Sequence, residues 1–138
     1  MPGRGVAVDA STALKWIFEE NGTAAALELL DEEVIHAPDF MLVEVANVLW
    51  SKVRRGVLTR LEADAAYEAI ASAPVALTPL ADLTSAARTL AFALDVTVYD
   101  AVYAALAQRF DCPLATADRT LAQAMNTSGL QGSALLIE

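Results

Sequence analysis

Five short apolar runs, Val6 to Asp9, Val34 to Ala37, Val75 to Leu77, Leu114 to Thr116 and Ala134 to Ile137, are separated by segments of helical periodicity. Strands joined through helices run parallel, because a parallel connection needs a crossover while a hairpin does not. Runs this apolar leave no face for solvent, so helices must cover both sides. The expected fold class is therefore α/β, a three-layer α/β/α arrangement around a central parallel sheet of four to five strands.

The helical segments follow from spacing and stop signals. Ser11 to Glu20 places Leu14, Ile17 and Phe18 on one face and stops at Asn21-Gly22. Thr23 to Leu30 is expected to turn Ala26, Leu27 and Leu30 inward. Phe40 to Arg54 ends at Gly56, and Thr59 caps Arg60 to Ser72. Leu83 to Leu94, capped by Asp82 or Thr84, Asp100 to Phe110 and Arg119 to Met125 complete the set. No repeat or linker divides the chain, so residues 1–138 read as one domain.

Composition narrows the function. A chain of 138 residues can bury about two-thirds of its unfolded surface. Although 56% of residues are hydrophobic, no uncharged stretch reaches about 18 apolar residues without turn residues, so no membrane span is expected. Met1 to Gly5 leads directly into a strand and does not resemble a signal peptide. Cys112 is the only cysteine, which excludes an intrachain disulfide and fits a reducing cytoplasm. A net charge of −9 excludes a general nucleic-acid coat protein. It does not exclude a nuclease, whose acidic site a metal would neutralise.

Four acidic residues interrupt apolar surroundings. Asp9 ends the first strand, Glu44 lies within Phe40 to Trp50, Asp100 opens an apolar helix, and Asp118 follows the fourth strand. A buried carboxylate is costly unless paired or bound to a cation. Ligands of open parallel sheets bind beyond the carboxyl ends of the strands, where Asp9 and Asp118 lie. Each Asp also has a simpler reading as a helix N-cap, but Glu44 has none. Asn47 shares its helix face. Together the four suggest a site for a hard divalent ion, Mg²⁺ or Mn²⁺.

The segments VAVDASTALKW (6–16), APDFMLVEVANVLW (37–50), VYDAVYAALAQ (98–108) and LATADRTL (114–121) closely resemble the PIN-domain ribonucleases, and within them the VapC-type toxins of toxin–antitoxin pairs. The resemblance runs from Val6 to about Ile137. It implies metal-dependent hydrolysis of RNA, with Asp9, Glu44, Asp100 and Asp118 as the catalytic and metal-holding quartet. Asp9 and Asp100 are the first choices as direct ligands, Asp118 serves a second metal or a bound water, and Glu44 is a ligand or the water-orienting base. Ser11 and Thr116 hold the carboxylates or a water by hydrogen bonds, or merely cap strand ends. A VapB-type antitoxin and a homodimer are the implied partners, with Tyr103, Leu106 and the helix from Leu83 as dimer surfaces.

Other residues carry less. His36 and Cys112 read as structural. Trp16, Trp50, Tyr99 and Tyr103 can stack on bases but suit a core or interface equally. Lys52, Arg54 and Arg55, with Arg60, form the only basic cluster, either a solvated helix end or an RNA phosphate contact. Two other functions share these features: a Mg²⁺-binding phosphoacceptor signalling module, which gives Glu44 no role, and a catalytically silent protein-binding domain.

Overall fold

The computed structural model describes residues 5–128 and 133–138; the Met1 to Arg4 lead-in read from the sequence lies outside them. Five strands, β1 (Val6–Val8), β2 (Ile35–Pro38), β3 (Val75–Thr78), β4 (Leu114–Thr116) and β5 (Ala134–Leu136), form one all-parallel sheet in the order β3-β2-β1-β4-β5. β1 is central. Ala7 pairs with His36 on one side and Leu114 on the other. Every residue of β1 and β4 is buried, as the uninterrupted apolar runs require. Gly5 opens β1 at φ +113, and a Cβ there would lie 2.2 Å from the Val34 carbonyl oxygen. Only glycine lets the strand start that close to its neighbour.

Among the described residues seven helices make the outer layers: α1 (Ala10–Leu14), α2 (Thr23–Glu28), α3 (Phe40–Arg54), α4 (Arg60–Ala71), α5 (Thr84–Leu94), α6 (Val98–Phe110) and α7 (Arg119–Thr127). α6 crosses β1, β2 and β4 and is covered in turn by α5. Its alanines at 101, 104, 105 and 107 are all buried, so both neighbours approach its backbone closely. That position corrects one expectation. Tyr103 and Leu106 are 3% and 0% exposed within the single chain and offer no surface to a second copy.

Three local expectations also change. The first helix ends at Leu14 rather than Glu20 because side chains compete for the following backbone. Lys15 Nζ donates to the Asn21 carbonyl at 2.6 Å and pairs with Glu20 at 3.0 Å, Thr23 Oγ1 accepts from Glu20 N–H, and Trp16 Nε1 donates to the Ala26 carbonyl. Leu27 and Leu30 face outward; Ala26 and Leu29 are the buried pair, since the helix tightens into a 3₁₀ turn at Leu29–Asp31. Neither Asp82 nor Thr84 caps α5. A 3₁₀ turn at Leu80–Asp82 runs into it, and the Thr84 hydroxyl donates back to the Leu80 carbonyl. Thr59 does cap α4, in a reciprocal box with Glu62.

Among the described residues no single helix is long and apolar enough to cross a membrane; α5 and α6 reach that length only together, bent by 109° at their junction.

His36 stacks on Phe110 with ring centroids 3.9 Å apart, and its buried Nδ1 has no hydrogen-bond partner. Burial holds its pKa below the usual histidine value. A lowered folded pKa gives stability that is present above the unfolded pKa, about 6.5, and lost as pH falls through the folded one. Denaturant midpoints of the wild type should therefore drop more between about pH 7.5 and pH 5 than those of His36→Phe, which keeps the stack. Parallel losses in the two proteins would show that His36 does not carry that pH dependence.

Candidate active site

The strand order reverses direction between β1 and β4, and both carboxyl ends lead into helices there. This is the crevice where open α/β sheets bind ligands. Asp9 leaves β1 as the N-cap of α1 and is 6% exposed. Its Oδ1 accepts from the Thr12 N–H at 3.0 Å and the Ser11 hydroxyl at 2.6 Å, and its Oδ2 accepts from the Thr116 hydroxyl. Each hydroxyl is itself oriented from the loop after β4. Ser11 Oγ accepts from Ala117 N–H at 3.1 Å, and Thr116 Oγ1 from Asp118 N–H at 3.0 Å. With the hydroxyl oxygens so occupied, their protons point to Asp9. Ser11 and Thr116 therefore orient this carboxylate directly, beyond any capping of strand ends.

Asp118 is the N-cap of α7, its Oδ1 accepting from Leu121 N–H at 3.1 Å. Asp100 is not a cap. Thr97 caps α6 and accepts the Asp100 N–H, so Asp100 stands in the first turn with its carboxylate released from that duty. Glu44 is half-buried on α3 and accepts a hydrogen bond from the Tyr103 hydroxyl of α6. No sequence signal assigns Tyr103 that role, although its place three residues after Asp100 puts both on one face of α6. Asn47 is exposed and hydrogen-bonds to none of the four.

The quartet shares one electrostatic neighbourhood. Burial raises the Glu44 pKa above the usual carboxylate range, the Tyr103 hydrogen bond opposes this, and the charges of Asp9 and Asp100 add to the rise. Asp100 is likewise raised by burial and then by Asp118, with a smaller push from Asp9 and relief from Thr97. Tyr103, buried against Glu44, is held far above the usual phenol value and stays protonated. The ion pairs of the described residues, Lys15 with Glu20, Arg60 with Asp64 and Arg119 with Glu138, leave the quartet without a basic partner.

An all-oxygen, anionic donor set without a basic partner suits a hard divalent cation. No three His, Cys, Asp or Glu side chains among the described residues converge closely enough to hold one ion between them. Mg²⁺ does not require three. It keeps several waters and is commonly bound by one or two carboxylates plus substrate phosphate, so the residues fit an ion held by a pair and reached by the others through water. The basic cluster divides. Lys52 lies over the Phe18 ring and Arg54 over Trp50, while Arg55 is exposed.

A five-stranded parallel sheet with four carboxylates around its switch point defines an α/β protein with an acidic site. The chain belongs to the PIN domain family, which matches residues 6–125. It is 38% identical over 119 residues to Ribonuclease VapC3 of Pyrobaculum aerophilum, covering 84% of this chain and 91% of that protein. It is 33% identical over 118 residues to Ribonuclease VapC12 of Mycobacterium tuberculosis, covering 86% and 90%. The crystal structure of PAE2754 from Pyrobaculum aerophilum superposes with a TM-score of 0.69 at 22% identity, over 94% of this chain and 82% of that one, a likeness of fold.

Mutual repulsion gives a stability test. Where a folded pKa is raised, as for Glu44 and Asp100, the contribution to stability is complete below the unfolded pKa and is lost as pH rises through the folded one. In metal-free protein Asp100→Asn should melt roughly 2–4 °C above wild type at neutral pH, the gap closing toward about pH 4. A variant that melts lower at both pH values would mean that Asp100 is not under strain from its neighbours.

Proposed function

We propose that this protein is a metal-dependent endoribonuclease, the toxin of a toxin–antitoxin pair, acting in the cytoplasm and neutralised by a cognate VapB-type antitoxin. The observation that carries this reading is the intact quartet, Asp9, Glu44, Asp100 and Asp118, gathered at the switch point without a basic partner among the described residues. The relatives named Ribonuclease VapC support the RNA substrate.

Asp9 and Asp100 would hold the ion, and Asp118 would take a second one or a bound water. Bound Mg²⁺ or Mn²⁺ would supply positive charge to the scissile phosphate and its leaving oxygen and ease deprotonation of the attacking water. Ser11 and Thr116 keep the Asp9 carboxylate in place, sparing reorganisation when substrate arrives. Glu44, its pKa raised by burial, is suited to orient that water and accept its proton. Lys52 and Arg55 offer charge to flanking phosphates; Arg54 lies over the ring of Trp50, which lines the groove between α3 and α4.

That groove, about 330 Å³ and lined by Leu49, Trp50, Val53, Ala63 and Tyr67 among others, accepts an apolar antitoxin helix. A homodimer would use the outer face of α5, where Phe92 is 84% exposed, in place of Tyr103 and Leu106. The phosphoacceptor reading loses ground because its open sheet would run 2-1-3-4-5, not 3-2-1-4-5. A silent binding domain would have no use for the quartet.

Purified protein incubated with a panel of structured RNAs should cleave with Mg²⁺ or Mn²⁺ and stop with EDTA. Asp9→Asn and Asp100→Asn should each lower the rate roughly a hundredfold or more while circular dichroism stays unchanged. Full cleavage by Asp100→Asn defeats the residue assignment, and undiminished cleavage in EDTA defeats the metal mechanism.

A further inference from the structure

The geometry points to Tyr103 as a positioning residue that fixes Glu44 for the reaction. The residue is 3% exposed, buried on α6 against Glu44 of α3. Its hydroxyl links two helices: from α6 it donates to Glu44 Oε1 on α3. The hydroxyl proton is directed to Glu44 by that bond. Oε2 of Glu44 receives no protein hydrogen bond among the described residues and remains for water or a ligand. A glutamate has three side-chain torsions and ordinarily loses considerable rotamer freedom on being fixed. Tying one oxygen to a rigid, buried phenol settles that loss before substrate binds. Tyr103 also rises from α6 one turn after Asp100, so one helix both carries one carboxylate and sets the position of another.

The kinetic consequence rests on the ribonuclease reading; the structural one does not. Tyr103→Phe keeps the ring and removes only the hydroxyl. In metal-free protein, NMR three-bond couplings should show Glu44 passing from one χ1 rotamer to a mixture, with a melting temperature within about 4 °C of wild type. With a cleaved RNA and Mg²⁺, kcat should fall roughly tenfold to a hundredfold while KM stays within about twofold, since a misplaced group costs rate more than binding. Adding Tyr103→Phe to Glu44→Gln should cost nothing further, because Tyr103 acts through Glu44. If wild type cleaves and Tyr103→Phe retains full kcat, or the two substitutions multiply, the inference is overturned. If wild type cleaves no RNA, the ribonuclease reading falls by itself. The rotamer measurement then decides: a single retained rotamer in Tyr103→Phe removes Tyr103 from any positioning role, and a mixture upholds it.

Discussion

The hydrogen bonds that close on Asp9 are the constraint from which the site's geometry follows. A carboxylate 6% exposed survives burial only if its lone pairs are satisfied, and here the donors come from two places. Thr12 N–H and the Ser11 hydroxyl belong to the turn after β1, and the Thr116 hydroxyl to the end of β4. The same hydroxyls accept the next N–H groups of the β4 loop. The charge is thus solvated by protein rather than by water, and the two strand ends that carry Asp9 and Asp118 are held in one register.

Around this fixed point the alanine-rich α6 sets distances. Small side chains let it lie close to β1, β2 and β4 on one side and to α5 on the other. Its first turn brings Asp100 within the fields of Asp9 and Asp118, and its second brings the Tyr103 hydroxyl to Glu44. Much of the chain's hydrophobic content therefore serves close approach rather than bulk. That packing holds the carboxylates together against their mutual repulsion.

Much of this was legible in the sequence, for physical reasons that differ by element. The strands were readable because each is a short apolar run bounded by turn or helix signals, wholly buried in β1 and β4, and α3 and β4 match their expected limits of Phe40–Arg54 and Leu114–Thr116. The early end of α1 was not, because it depends on Lys15 and Trp16 reaching backbone carbonyls that only the folded chain presents. Asp100 looked like a cap, yet Thr97-Val98-Tyr99-Asp100 has the spacing of a helix start with threonine as the cap. Tyr103 could be placed on the face of Asp100 but not against Glu44, 59 residues away. Periodicity assigned Leu106 a helix face without revealing that two layers would cover it.

The bond between Thr116 and Asp9 spans 107 residues of sequence, and that separation bears on how the protein comes into being. A parallel sheet with its central strand first in the chain postpones its longest contacts, which are also the slowest to form. While the chain is being synthesised, β1, β2 and α3 can gather without the partner that orients Asp9 or the loop that brings Asp118. Every truncated or stalled product ending before residue 116 has at most three of the four carboxylates and lacks the Thr116 hydroxyl that orients Asp9. For a protein whose proposed activity would endanger the translating cell itself, the topology acts as a timer that delays competence until nearly the whole described fold has been made.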